Sequence, residues 1–308
     1  MRASAGKQIV VIAEHKAKLD GKSKGCPMPR QIPRVRFADG ASVPALGLGT
    51  WHMGEDRATA AREVRALKAG IASGMTLIDT AEMYASGGAE EITGAAIKGC
   101  RDDVFIVSKV LPSNASRKGT IAACEASIRR LGTDRIDLYL LHWPGRHPLD
   151  ITVEALEELR AAGKILRWGV SNFDTPAMQR LAALPGGQNC AANQVLYNLS
   201  TRGIEFDLAP WMLERAMPLM AYSPLDEGRL VRHPGLRKMA GRLGVKPAQL
   251  ALAFLLARNN VIAIPKSSSP ERVAENGASA GIDLSEDQLA ELDRMFAPPC
   301  SPQPLDVI

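Results

Sequence analysis

Four side chains in the first half of the chain have complementary acid–base chemistry: Asp79, Tyr84, Lys109 and His142. A phenol, with an ordinary pKa of about 10, is a poor acid at neutral pH. A neighbouring ammonium favours the phenolate and lowers that value, and a carboxylate beside the ammonium keeps it charged and in place. An imidazole can donate to a carbonyl oxygen and orient it. Together the four would form a unit for giving a proton to a developing alkoxide, which is half of a carbonyl reduction. The other half is a hydride, which no side chain supplies, so a nicotinamide cofactor is implied. Each residue alone has a plainer explanation: a solvated lysine, a structural histidine, an aspartate capping the next helix. Only a shared location makes them a site.

The elements that carry them recur along the chain. Short apolar runs read as strands at Leu46–Trp51, Thr76–Thr80, Val104–Val110, Ile136–His142, Ile165–Val170, Ala191–Leu196, Leu219–Tyr222 and Val261–Pro265. Helical patterns lie between them, such as Ala58–Ser73, Thr120–Leu131, Val153–Ala162 and Pro247–Arg258. Apolar strands alternating with amphipathic helices predict a parallel sheet covered on both faces. Eight such units fit a closed (β/α)8 TIM barrel, with a doubly wound open sheet as the alternative. An N-terminal β-hairpin is predicted around Asp39-Gly40, read as a two-residue turn. An extra C-terminal helix is predicted over Ser285–Phe296, with Ser285 at its start. In such a barrel the chemistry sits at the C-terminal strand ends, and Asp79, Lys109 and His142 fall there on successive strands, with Tyr84 just beyond the first.

Later strand ends supply binding groups. Ser171, Asn172 and Gln194 could hold a carboxamide, and Tyr222 could stack on a flat ring. After the last strand, Lys266, Ser267, Ser268, Ser269 and Arg272 precede or open a helix, a set suited to an anion. The first strand ends Gly47-Leu48-Gly49, but His52 stands where a Rossmann fingerprint needs glycine, and no Walker A sequence exists.

Composition narrows the class. Hydrophobic residues at 46% and charged residues at 23% describe a globular chain rather than a disordered or fibrous one. No apolar run approaches the roughly 20 residues of a membrane-spanning helix. The net charge of +5 and pI near 9.0 suggest an acidic partner such as nucleic acid. Yet residues 1–31 hold seven of the 38 basic residues and only two of the 33 acidic ones, so the remainder is formally neutral. The basic part reads as a solvated, disordered extension ahead of a single domain over 32–308, without a secretory or transit signal. Residues 1–27 read as a dispensable tail, since Met28 begins ordinary domain sequence. Five widely spaced cysteines form no C-x-x-C and no zinc pattern, which suits reduced thiols in the cytoplasm. His142 and His147 have no third ligand in view, so no metal is expected.

The motifs carry a resemblance. "GLGTW" (47–51), "DTAEMYASGGAEEITGAAI" (79–97), "VSKV" (107–110), "LLHWP" (140–144), "GVSNF" (169–173), "NQVLYN" (193–198), "AYSPL" (221–225) and "IPKSSSPERVAEN" (264–276) stand in the order seen in aldo-keto reductases. Over about residues 34–296 the chain resembles a bacterial-type member of that family. The resemblance implies a barrel binding NADPH in an extended pose and reducing aldehydes or reactive ketones to alcohols. It implies Tyr84 as the general acid with Asp79, Lys109 and His142 as partners. It implies Ser171, Asn172 and Gln194 on the carboxamide, Tyr222 stacked on nicotinamide, and Ser223 and Leu225 near the pyrophosphate. Lys266, Ser267, Ser268 and Arg272 would clamp a 2′-phosphate, Glu275 and Asn276 would hold adenine, and Trp51 and Trp143 would line the substrate pocket. The segment "WPGRHPLDIT" and the tail after Phe296 are short, which implies an open pocket, and His52 replaces a lysine seen in some members. A small carbonyl substrate, no nucleic acid, no membrane and a monomer are expected. The alternatives are a non-catalytic NADPH-binding regulator of the same fold and a lyase using Lys109 as a Schiff base.

Overall fold

The computed structural model describes residues 31–308. The expected extension over 1–31 lies outside the described residues except for Gln31. Two short strands, β1 (Arg34–Arg36) and β2 (Ser42–Pro44), pair antiparallel as the predicted hairpin. Its turn is one residue longer than the two-residue turn expected. The Phe37 N–H donates to the Ala41 carbonyl at 2.8 Å and leaves Ala38, Asp39 and Gly40 between them. Gly40 takes the left-handed conformation, φ 88°, that a three-residue hairpin loop requires at that place.

Eight parallel strands follow: β3 (Leu48–Gly49), β4 (Leu77–Asp79), β5 (Phe105–Val110), β6 (Leu138–Leu141), β7 (Trp168–Ser171), β8 (Cys190–Leu196), β9 (Leu219–Tyr222) and β10 (Val261–Ala263). Each pairs with the next in chain order. The ring closes between the first and last. Gly47 N–H donates to Ala263 O at 2.8 Å, Ala263 N–H to Ala45 O at 2.8 Å, and Gly49 N–H to Pro265 O at 3.0 Å. The fold is thus the closed (β/α)8 barrel rather than the open sheet.

The helices α1 (Ala60–Ala72), α2 (Gly88–Ile97), α3 (Arg117–Leu131), α4 (Leu149–Ala161), α5 (Thr175–Ala182) and α6 (Leu208–Glu214) connect successive strands. Two helices, α7 (Pro234–Arg242) and α8 (Pro247–Leu256), lie between β9 and β10, and α9 (Pro270–Gly277) follows β10. The predicted extra helix is α10 (Glu286–Met295), where Ser285 Oγ accepts from Gln288 N–H and Ser285 N–H donates to Gln288 Oε1.

The alternation of strand side chains sorts two cores. Ile78, Ile106, Tyr139, Leu141, Trp168 and Val170 face the helices. Leu77, Val107, Leu138, Leu140, Ala192, Met220 and Ile262 fill the barrel and pack against Val35, Phe37 and Val43 of the hairpin, which plugs its N-terminal end. One step further along the inward faces, apolar residues give way to polar ones: Leu77 to Asp79, Val107 to Lys109, Leu140 to His142, Ala192 to Gln194. The period of two that builds the core therefore aims the site. Among the described residues no helix is long and apolar enough to cross a membrane, and no group of three or more His, Cys, Asp and Glu is placed to hold a metal.

Candidate active site

The structure brings the four residues together at the C-terminal mouth of the barrel. Lys109 is fully buried, and its ammonium uses all three donors: Asp79 Oδ2 at 2.8 Å, the Thr80 carbonyl at 2.9 Å and the Tyr84 phenol oxygen at 3.1 Å. Because the phenol oxygen accepts from Lys109, its own proton is left to point elsewhere. The other Asp79 oxygen accepts from the Gln194 amide at 2.7 Å, so the carboxylate cannot swing away from the ammonium. The His142 ring lies edge-on to Tyr84, with centroids 5.7 Å apart.

Burial sets the charge states. It pushes the Tyr84 phenol above its ordinary value, and the pull of Lys109 in the opposite direction does not overcome it. The lowered phenol expected from the ammonium alone is therefore corrected: desolvation wins, and the proton stays on. Burial alone would lower Lys109, but Asp79 and Tyr84 together raise it, so the ammonium stays charged. His142 is pushed down to about 2, first by burial and then by the Lys109 charge, which leaves a neutral ring. A neutral imidazole donates one hydrogen bond without bringing a positive charge beside the ammonium.

From this centre a cavity of about 1140 Å3 runs toward α9. Every site residue expected from the sequence lines it except Lys109, which lies beneath it. Ser171 and Asn172 stand at its inner end, where the Asn172 Oδ1 accepts from the Tyr222 hydroxyl at 2.9 Å and its backbone takes φ 61°. Ser223, at φ 46°, and Leu225 line it just after β9. Lys266, Ser267, Ser268 and Arg272 close the far end. Lys266 is lowered by burial, which the more distant Glu63 and Glu55 offset only in part. Among the described residues neither Lys266 nor Arg272 forms a salt bridge, so this end presents two cations without a bound carboxylate, a donor set that suits a phosphate. Ser269 instead caps α9, accepting from Arg272 N–H at 3.4 Å. Glu275 pairs with Lys246, and Asn276 is buried beside it. Trp51 and Trp143 stand at the mouth, both exposed.

Some lining residues had no sequence signal. Met83, next to Tyr84, is exposed at the mouth, and its place follows only from the turn that turns Tyr84 inward. Ile308 reaches the cavity from the far end of the chain. Lys246 lines it from the start of α8, where sequence showed only a helix beginning with proline. The Gln194–Asp79 bond was also missed, although Gln194 occupies the inward face of β8 that the strand alternation assigns to it.

The chain is 50% identical over 283 residues to methylglyoxal reductase YeaE of Escherichia coli (strain K12), covering 90% of this chain and 100% of that one. A crystal structure of an aldo-keto reductase from Klebsiella pneumoniae in complex with NADPH is 52% identical and superposes with a TM-score of 0.88, covering 91% of this chain and 100% of that one. A second Klebsiella pneumoniae structure, in complex with NADP and acetate, is 52% identical with a TM-score of 0.87, covering 89% and 99%. The family model described as the aldo/keto reductase family matches residues 45–296, which span the barrel and the whole acid–base centre. On that match and that geometry, the chain belongs to the aldo/keto reductase family.

Proposed function

We propose that this chain is an NADPH-dependent reductase of aldehydes and reactive ketones, with residues 32–308 as one catalytic domain and Tyr84 as the proton donor. The observation that carries the reading is the Lys109–Tyr84 contact at 3.1 Å, made by an ammonium whose other two N–H groups are held by Asp79 and the Thr80 carbonyl. The dinucleotide fits the residues present: amide and hydroxyl groups beside the acid–base centre, a tyrosine face next to them, and Lys266 and Arg272, which form no salt bridge among the described residues. Ser171, Asn172 and Gln194 would hold its carboxamide, Tyr222 its ring, and Lys266, Ser267, Ser268 and Arg272 its 2′-phosphate. When bound, it supplies the hydride.

The chain's own residues do the rest. His142, neutral and facing the cavity, orients the carbonyl oxygen. Tyr84 gives its proton to that oxygen as negative charge develops there. Lys109 donates to the phenol oxygen throughout and stabilises the phenolate left behind, while Asp79 compensates the ammonium. Trp51, Met83 and Trp143 line the mouth through which the substrate would enter. The similarity to a methylglyoxal reductase makes small α-oxoaldehydes the first substrates to test.

The purified protein should consume NADPH with methylglyoxal and simple aldehydes. Consumption with none of a broad carbonyl panel would leave a binding protein of the same fold, and a borohydride-trapped adduct on Lys109 would indicate a lyase instead.

A further inference from the structure

Tyr84 sits on a backbone that would not hold its shape unaided. After it, Ala85 (φ 50°), Ser86 (φ 53°) and Gly87 (φ 97°) are all left-handed, and two of these three carry a Cβ that disfavours that region. Something must keep the turn in place. Arg130 of α3 lies directly on Gly87: a Cβ there would meet Arg130 Cδ at 2.5 Å and Nε at 2.6 Å. Arg130 Nε donates in turn to Glu90 Oε2 at 2.6 Å, and its Nη2 reaches Ser127 Oγ at 3.3 Å.

Glu90 is a fully buried carboxylate outside the acid–base centre, and the mechanism above does not use it. Its second oxygen accepts from Ser108 Oγ at 2.6 Å. Ser108 precedes Lys109 on β5 and faces the opposite way, so its hydroxyl meets Glu90 while the next side chain meets Tyr84. One carboxylate thus grips both supports of the reacting pair. Through Ser108 it holds the strand that carries the ammonium, and through Arg130 it holds the turn that carries the phenol.

We propose that Glu90 and Arg130 form a positioning clamp that sets the Tyr84 phenol at hydrogen-bond distance from Lys109. Neither residue lines the cavity, so the clamp acts through Tyr84 and not on any bound molecule. The inference rests on the reading of Tyr84 as proton donor, and its tests separate the two.

Arg130→Lys and Arg130→Met are compared with the unmodified protein, well below each melting temperature and at saturating NADPH, with methylglyoxal as substrate. The Arg130 side chain is one-quarter exposed, so these variants fold more readily than Glu90→Gln, which is tested alongside. The clamp predicts that kcat falls about 10- to 100-fold, since a small misplacement of a reacting group has effects of this order. It predicts a KM within about twofold of the original, unchanged NADPH binding, and a larger solvent deuterium isotope effect on kcat. A lower melting temperature with kcat and isotope effect unchanged would assign the pair a purely structural role and overturn the proposal. A second readout needs no turnover. The protein has four tyrosines, and in 13C-tyrosine-labelled samples the ring resonance missing from Tyr84→Phe identifies Tyr84. That resonance should move in Arg130→Met, and an unmoved resonance would also overturn the clamp. If the unmodified protein reduces no carbonyl, the proton-donor reading fails while the resonance still decides the clamp.

Discussion

At the scale of single residues, the site is a contest between burial and charge. Tyr84 keeps its proton because desolvation outweighs the pull of Lys109, and His142 stays neutral because burial and Lys109 act in the same direction. Neither group titrates near neutrality. The rate of reduction should therefore be flat from about pH 6 to 9, as expected when catalytic pKa values lie outside the window. A limb near the ordinary imidazole value in the pH–rate profile would contradict the His142 assignment. Lys109→Met should leave Asp79 as a buried, uncompensated charge. Removing one partner of such a pair costs about 3–5 kcal/mol, and urea denaturation would measure it; turnover should fall at least about 100-fold. The shared location of Asp79, Lys109 and His142 was legible in the sequence because strand ends place them, whereas Tyr84 stands on the turn after β4. The state of the phenol was not legible, because the effect of an ammonium is local while desolvation depends on everything packed around the pair.

At the scale of elements, strand alternation was the strongest signal. Most strands match the apolar runs to within about two residues, the accuracy usual for boundaries. The first was legible only in part: β3 spans Leu48–Gly49, and the barrel closes there through single bridges, Leu46 to Ala263 and Gly49 to Lys266. The hairpin was legible, but its turn was not, because the loop length is set by the Phe37–Ala41 bond and not by Asp39-Gly40 alone. Phe37 is buried under the barrel, stacked on Phe105 with centroids 5.4 Å apart. Phe37→Ala should cost about 3–5 kcal/mol of stability, and a loss below 1 kcal/mol would mean the plug is dispensable. The loop between β10 and α9 makes a separate prediction. Lys266→Ala and Arg272→Ala should each weaken NADPH at least about tenfold, as expected for a charge-assisted phosphate contact, while NADH binding changes little. Equal losses for both dinucleotides in a titration would rule out 2′-phosphate recognition.

At the scale of the whole molecule, the basic pI says little about function. The charge excess lies in residues 1–31, whereas the proposed function rests on three cations outside that segment, Lys109, Lys266 and Arg272. A protein beginning at Met28 should match the full chain in turnover and melting temperature; loss of either would make the extension part of the working enzyme. The buried His142 also links the fold to pH. Its folded value of about 2 lies far below the ordinary imidazole value, so only the unfolded chain takes up this proton in between. This contribution is fully present above about pH 6.5 and is lost as pH falls, by up to about 1.4 kcal/mol per pH unit. Unfolding titrations of His142→Asn between pH 7 and 5 should show a shallower loss than the original protein, and parallel curves would contradict the burial. The central claim is that Tyr84 donates the proton, and Tyr84→Phe tests it most directly. Single-turnover oxidation of bound NADPH by methylglyoxal should be lost by at least about 1,000-fold, toward the upper range for general acid catalysis, with NADPH affinity unchanged. Turnover near the original rate in that variant would contradict the account.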